Sequence, residues 1–488
     1  MGETTPSERG SIAVLALLAL TQLITAVDFD IVFVALPKIG QDLGFTDQSL
    51  QAVVSAYTVT FGGLLLLGGR ASDRLGARRV FIVGLAIFGL SSLAAGLANE
   101  PTTLIIARAI QGLGAALLTP STLKLITTRF AEGHDRNRAL AIWGAAGATG
   151  AAVGALGGGI LTSGLGWEWV FFVNVPLVVI ALIAAPRLLT ADGPRLEGRG
   201  GFDLPGAILA TGGATLVVLG LVRSPEIGWI SSTGGGAIAV GALLLIAFVL
   251  VERRSLDPLI PGRLLRNRNL LAAVSVVFIF MGTIGTQYYL FTTYLQTVLG
   301  YSPLQAGLAF LPLSVFSVIG SAKVVPIAVA KLGIRTTLTI GLLGVSVSIA
   351  ALAAGFSVGG SYLTVLPGVI LWGFFAGLSF PPLFIAASTG TRPEEQGVAA
   401  ALVSTSQYIG SAVGLAVLVG FANSGIPSEG SEKTLDLVVD GLTRAAWVSC
   451  GITVFGAVLA TIILRKTHSS DEEPPNHVAE VSDSSQSQ

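Results

Sequence analysis

Gly69-Arg70-Ala71-Ser72-Asp73-Arg74-Leu75-Gly76-Ala77-Arg78-Arg79 places four arginines and one aspartate between two apolar runs, 49–69 and 79–98. So charged a segment stays out of hydrocarbon, so the runs read as two helices joined at a membrane surface. Each is about the 20 residues that one crossing requires. The pattern returns as Lys331-Leu332-Gly333-Ile334-Arg335, at a constant offset of 257 residues (331 against 74) that Gly84/Gly341 and Ser91/Ser348 keep. Each copy opens a helix from the same side, as in a parallel repeat about an axis along the membrane normal.

Composition agrees. Of 488 residues, 52% are hydrophobic and 11% charged, with a mean hydropathy of +0.78; a soluble domain carries roughly 25% charged residues. Apolar runs predict fourteen spans: 12–36, 49–69, 79–98, 102–124, 138–161, 168–189, 204–222, 232–251, 270–298, 304–328, 334–356, 362–388, 396–422 and 443–464. Most of the 28 Lys and Arg fall in loops on the N-terminal side, Arg129, Arg253 and Arg266 among them, while Lys38, Arg223, Lys433 and Arg444 face the other way. The positive-inside rule then puts both termini in the cytoplasm. One cysteine, Cys450, leaves no internal disulfide framework, and His134, His468 and His477 form no metal-binding pattern. The net charge of zero carries no sign of a nucleic-acid partner, and none is expected.

Three charges lie inside apolar runs. Asp28 and Asp30 belong to Val27-Asp28-Phe29-Asp30-Ile31-Val32-Phe33-Val34-Ala35-Leu36-Pro37, and Arg108 to Leu104-Ile105-Ile106-Ala107-Arg108-Ala109-Ile110-Gln111-Gly112-Leu113-Gly114. A carboxylate at the bilayer centre costs about 2.5 to 3.5 kcal/mol on insertion scales, so such residues mark polar pathways or proton sites. At 1.5 Å per residue all three lie ~10 to 14 Å from the outer helix ends, at a shared depth. Asp28 and Asp30 point about 160° apart on a helix and cannot both face one cavity. A structural pair that fixes helix packing is the alternative to a proton site. No GxxxxGK[ST] run for ATP, and no HExxH or GxSxG pattern at membrane depth, stands in the sequence, so ATP-driven export by this chain and a membrane enzyme or receptor are disfavoured.

Residues 69–79 resemble the GxxxDRxGRR signature of the major facilitator superfamily, with Ala77 at one motif arginine. The resemblance implies a conformational latch of Gly69, Asp73, Arg74, Gly76, Arg78 and Arg79. In the second copy Pro326 replaces the first Gly and Ala330 the Asp, which leaves Asp73 as the latch acid. Residues 104–114 resemble the superfamily's LxxxRxxQGxG pattern. Gly150-Ala151-Ala152-Val153-Gly154-Ala155-Leu156-Gly157-Gly158 is similar to the GxxxGPxxGG element of exporters, with Ala155 in place of Pro; a plain small-residue packing face accounts for the same letters. Residues 27–37 resemble the LDxTVVNVALP pattern of the fourteen-helix drug:proton antiporters, Asp28 taking the motif Asp while Asp30 stands for Thr and Phe33 for Asn. The stretches 167–176, 294–302 and 305–308 extend the likeness over nearly the whole chain; Glu168 stands where the family shows Arg.

These readings predict an all-α polytopic membrane protein of the major facilitator fold, two six-helix bundles related by a parallel pseudo-two-fold plus two inserted helices. Residues 1–200 form the first bundle, 201–255 the insert, 256–467 the second bundle and 468–488 a disordered cytoplasmic tail. The resemblance implies a proton-coupled exporter of small hydrophobic or cationic compounds such as antibiotics, with an importer or a dedicated metabolite exporter as alternatives. Expected roles are proton coupling for Asp28, Asp30 and Arg108; close helix packing for Gly150, Gly154, Gly157 and Gly158; and a substrate cavity with Gln111, Gln287, Tyr288 and Tyr294, interfacial anchoring accounting for the tyrosines equally well. No cofactor beyond a proton gradient is expected. The partners are the small-molecule substrate, protons and the lipid bilayer of a bacterial inner membrane, and the working unit is a monomer.

Overall fold

In hydrocarbon every backbone N–H and C=O needs an internal partner, which leaves helices for a chain with this composition. The computed structural model describes residues 6–130, 134–192, 204–254, 262–391, 396–423 and 435–464. Within these residues the chain is helical throughout, with no strands: α1 (Pro6–Leu43), α2 (Asp47–Leu50), α3 (Ala52–Leu75), α4 (Ala77–Gly96), α5 (Pro101–Arg129), α6 (His134–Gly164), α7 (Trp169–Phe172), α8 (Asn174–Leu188), α9 (Leu204–Ile227), α10 (Gly235–Arg254), α11 (Arg268–Thr293), α12 (Pro303–Ala309), α13 (Leu311–Val318), α14 (Val325–Gly355), α15 (Tyr362–Ser388), α16 (Gln396–Asn423) and α17 (Leu435–Ile463). Eleven helical stretches among the described residues are long and apolar enough to cross a membrane; α6 and α9 add shorter apolar segments, Val153–Gly164 and Ile208–Ser224. The expected bundle boundaries near 200 and 255, and the tail, lie outside the described residues.

Helix neighbours recur in the two parts of the chain. In the first, α1 packs on α6, α3 on α5, and α4 on α5 and α8; in the second, α11 packs on α16, α13 on α15, and α14 on α15 and α17. Helices α9 and α10 pack on each other, and α9 leans on α3 and α16. The echoed glycines share a conformation too: Gly76 has φ 96° and ψ 134°, Gly333 φ 78° and ψ 164°. Glycine meets no steric penalty at such positive φ.

One expected boundary holds and one shifts. The spans 304–328 and 334–356 were expected as two helices, and the non-helical Gly333 falls between them, breaking the stretch Pro303–Gly355, which is 53 residues long with a further turn at Phe310. That is about 80 Å at 1.5 Å per residue, more than two crossings of a ~30 Å core. Helix α1 was expected to stop at 36, but it continues through Pro37 to Leu43. Proline removes one backbone bond, and the flanking Leu36 and Ile39 are buried, which holds the extra turn in place.

Packing between α1 and α6 is governed by a glycine row at i, i+4 and i+8. A β-carbon on Gly150 would meet Ala26 and Val27; on Gly154, the Val27 carbonyl oxygen at 2.9 Å and Asp30 Cβ at 3.0 Å; on Gly158, the Ile31 carbonyl oxygen at 2.7 Å. Gly157 points away, with nothing within 4 Å, so its place differs from the other three residues of the expected packing face. The two parts of the chain meet along α3 and α16 and also at the end remote from the arginine-rich turns. There Gln296 Nε2, in the π-helical turn Tyr294–Val298, donates to the Val34 carbonyl at 2.8 Å, and the Leu304 N–H donates to Ser163 Oγ at 3.0 Å.

Replacing Gly154 by Val is expected to lower stability by about 1–3 kcal/mol through overpacking, read as a lower melting temperature of the purified protein, whereas Gly157→Ala is expected to melt like the natural chain. Equal melting of both variants would contradict this assignment of the glycine row.

Candidate functional site

A carboxylate buried from water must find donors within the protein. Asp28 of α1 is fully buried, and five helices supply what surrounds it. Arg108 Nη1 of α5 donates to its Oδ2 at 2.8 Å. Gln111 Nε2, one turn along α5, and Asn174 Nδ2 at the start of α8 each donate to Oδ1 at 2.7 Å. Arg108 is fully buried as well: Nη1 also reaches Gln111 Oε1 at 2.6 Å, and Nε donates to the Val53 carbonyl of α3 at 3.1 Å. Gln111 completes its set by donating to Ser92 Oγ of α4 at 2.8 Å. The guanidinium carbon sits 4.4 Å from the Tyr57 ring centroid and 5.7 Å from that of Phe171, so aromatic faces close the site on two sides.

Asp30 leaves α1 on another face. It is half-buried, and no cation pairs with it among the described residues. Its Cβ faces Gly154, and it lies within electrostatic range of Tyr57, Tyr288 and Tyr408. Those rings belong to an aromatic series bridging the two parts of the chain. Phe61 and Tyr408 lie 4.1 Å apart, Phe29 and Tyr408 6.0 Å, Phe33 and Tyr288 5.6 Å, and Tyr288 meets Trp372 at 5.0 Å and stacks on Phe310 at 5.5 Å.

The other expected residues divide. Gln111 belongs to the Asp28 network rather than to a cavity wall. Tyr294 is fully buried against Phe356, with ring centroids at 4.6 Å, and its hydroxyl reaches the Gly355 and Ser357 carbonyls at 3.4 and 3.3 Å; it ties α11 to the end of α14. Gln287 is fully buried, with neither amide atom hydrogen-bonded among the described residues. At the latch, Gly69 and Arg74 sit in the last turns of α3, and Asp73 is helical with a side chain outside the described set. Among the described side chains the acid at this turn is Asp192, whose carboxylate accepts from the backbone N–H of Arg78 at 3.1 Å and of Arg79 at 3.0 Å and so caps α4, whose N-cap residue, Gly76, has no side chain. A β-carbon on Gly76 would collide with that carboxylate. Arg78 Nη2 also donates to the Pro186 carbonyl at 2.8 Å. Among the described residues no group of three His, Cys, Asp or Glu could hold a metal.

The family model described as Major Facilitator Superfamily matches residues 18–415. The chain belongs to the Major Facilitator Superfamily. This superfamily member is a transporter, not an enzyme. It is 39% identical to the puromycin resistance protein of Streptomyces alboniger, over 94% of this chain and 92% of that one. It is 40% identical to a cephamycin export protein of Amycolatopsis lactamdurans, over 88% and 89%. Among solved structures, a D-xylose–proton symporter superposes with a TM-score of 0.67 at 14% identity, covering 93% of this chain and 98% of the other, and a peptide transporter with sulfate bound gives 0.68 at 17%, covering 92% and 93%. At those identities the likeness is one of fold.

Within the transporter, Asn174, Ser92 and Asp192 were not among the expected site residues. Asn174 does sit inside the quoted 167–176 stretch, and that was the available signal. Arg108→Met would leave a buried carboxylate without its cation, which is expected to destabilise by about 3–5 kcal/mol. Adding Asp28→Asn should restore much of the loss. Thermal melts of both variants in detergent check this, and a double variant no more stable than the single one would show that the two charges are not coupled.

Proposed function

We propose that the chain is a proton-coupled exporter of small hydrophobic or cationic compounds, antibiotics among them, working by alternating access. The observation that carries this reading is the fully buried Asp28–Arg108 pair at the core of the first helix set, with Gln111 and Asn174 on the same carboxylate. The names of the relatives, one a puromycin resistance protein and another a cephamycin export protein, favour antibiotic substrates.

In this reading fourteen helices span the bilayer. They are the eleven long apolar stretches, one of them counted twice because it bends at Gly333, together with α6 and α9. Two six-helix bundles are related by a parallel pseudo-two-fold, which the recurring helix neighbours and the matched Gly76 and Gly333 support, and α9–α10 is the insert. The arginine-rich turns and both termini face the cytoplasm of a bacterial cell, and the protein works as a monomer in its inner membrane.

The donor set supports proton coupling. The ionised Asp28 accepts three hydrogen bonds, and a proton placed on Oδ2 would displace Arg108. The freed guanidinium keeps its bonds to Gln111 and to the Val53 carbonyl, so α1 loosens from α5 while α5 stays tied to α3. Exchange of a proton at Asp28 thereby alters the packing of the helix that also carries Asp30. The Asp30 carboxylate, beside Tyr288 and Tyr408, supplies the substrate surface: aromatic faces for apolar area and one negative charge for a cationic group. Gln287 adds a buried amide able to exchange hydrogen bonds with a polar substituent.

Inverted membrane vesicles loaded with a pH indicator test the scheme with puromycin as probe. Puromycin should accumulate when the vesicle interior is made acidic and release protons as it enters. Asp28→Asn should abolish gradient-driven accumulation, while Asp30→Asn should weaken cationic probes more than neutral ones. Movement of the probe in the same direction as protons would sink export in favour of symport, and full gradient-driven activity in Asp28→Asn would remove Asp28 from coupling.

A further inference from the structure

A cavity of about 380 Å³ opens at the arginine-rich end of α11, away from Asp28 and from the aromatic series. Its lining among the described residues includes Arg263, Arg266 and Arg268 with Asn267, Asn269 and Thr389, and no acidic residue. The wall is built rather than loose. Leu264, almost fully buried, anchors the short 3-10 turn Leu264–Arg266. Asn267 caps α11 by accepting from the backbone N–H of Asn269 at 3.0 Å and of Leu270 at 3.3 Å, while its Nδ2 donates to the Thr389 carbonyl at 3.1 Å. That last bond ties the start of α11 to the end of α15, and Gly390, at φ 75°, turns the chain away beyond it.

Three exposed arginines carried on one anchored stretch of backbone repel one another, and a phosphate between them converts that repulsion into forked, charge-assisted hydrogen bonds. The cavity holds a further polar resource. The Asn269 amide oxygen is buried with no partner among the described residues, and the amide turned over would present an N–H donor in its place. What lies beneath the arginines separates a lipid from a soluble anion. Leu271, three residues after Arg268 and hence on the same helix face, is exposed, and so is Ile385, one turn before Thr389 on α15. A basic head region with an apolar strip one turn deeper, on two neighbouring membrane helices, has the layout of a phospholipid standing at the interface.

We propose that this cavity binds the phosphate headgroup of an anionic phospholipid, with Arg263, Arg266 and Arg268 on the phosphate and an acyl chain along Leu271 and Ile385. The site depends on neither the direction of transport nor proton coupling. Basic pockets between membrane helices are suited to such headgroups, because each arginine near the surface adds to the attraction.

The full-length protein in detergent, titrated with phosphatidylglycerol and followed by melting temperature and by lipid retained in native mass spectrometry, tests this. Phosphatidylglycerol is expected to raise the melting temperature and remain bound, and phosphatidylcholine to do neither. Arg263→Gln/Arg266→Gln/Arg268→Gln should weaken phosphatidylglycerol binding about tenfold or more. The charge-conserving Arg263→Lys/Arg266→Lys/Arg268→Lys, which loses the guanidinium fork, should weaken it severalfold and serves if the glutamine variant does not fold. Arg253→Gln/Arg254→Gln, at the last turn of α10, should bind as the natural chain does. Unchanged binding in the cavity variants overturns the site, and so does an equal loss in the α10 variant, which would mean diffuse surface charge. Displacement of the lipid by inorganic phosphate at the same concentration would overturn the lipid assignment in favour of a soluble anion.

Discussion

The Asp28–Arg108 ion pair is the constraint around which the first helix set is arranged. Taking two charges out of water costs several kcal/mol per ion, and their attraction repays this only when geometry is good and the remaining donors and acceptors are met. Meeting them recruits α1 through Asp28, α3 through the Val53 carbonyl, α4 through Ser92, α5 through Arg108 and Gln111, and α8 through Asn174. Among the described residues, α6 is the long helix of that set from which no polar group is seen in the network. It is held instead by the glycine row against α1, where dispersion contacts between backbones replace hydrogen bonds. Polar specificity and close packing thus act on different sides of one helix.

That division explains which parts of the site could be read from sequence. An arginine and an aspartate are rare at membrane depth, so Asp28, Asp30 and Arg108 stood out, and 1.5 Å per residue was enough to place them at one level. Which aspartate meets the arginine depends on the rotation of α1 about its axis, a tertiary quantity; the structure gives Arg108 to Asp28 and leaves Asp30 on the face toward Gly154. Asn174 and Ser92 carry no such scarcity. Amides and hydroxyls are common in these helices, and Asn174 comes 146 residues after Asp28, so neither spacing nor charge points to it.

The surface turn was legible in outline and not in detail. Its glycine could be assigned to a tight bend, and Gly76 does adopt a positive φ. The same missing side chain deprives α4 of a local cap, and the acid that replaces it arrives from beyond α8, at Asp192, in a polar segment where one carboxylate looks like any other. Tyr294 taught a related lesson. A tyrosine near a helix end suits an interface, a cavity or a packed core equally, and only the position of Phe356, just past the end of α14, decides for the core.

Helix geometry gives the two aspartates opposed physical positions within three residues of chain. Asp28 has both carboxylate oxygens engaged, by three donors fixed on other helices, so in the proposed coupling a change in its protonation is answered by movement of a helix. Asp30 has no such partners among the described residues and stands within electrostatic range of rings from the other part of the chain, where the proposed function puts the substrate. Because both project from α1, an event at one is felt at the other through a rigid two-residue link, without any chain of intermediate contacts. The proposed coupling needs little more than this: one face that resists change, one face assigned to the substrate, and a single helix that cannot turn one without turning the other.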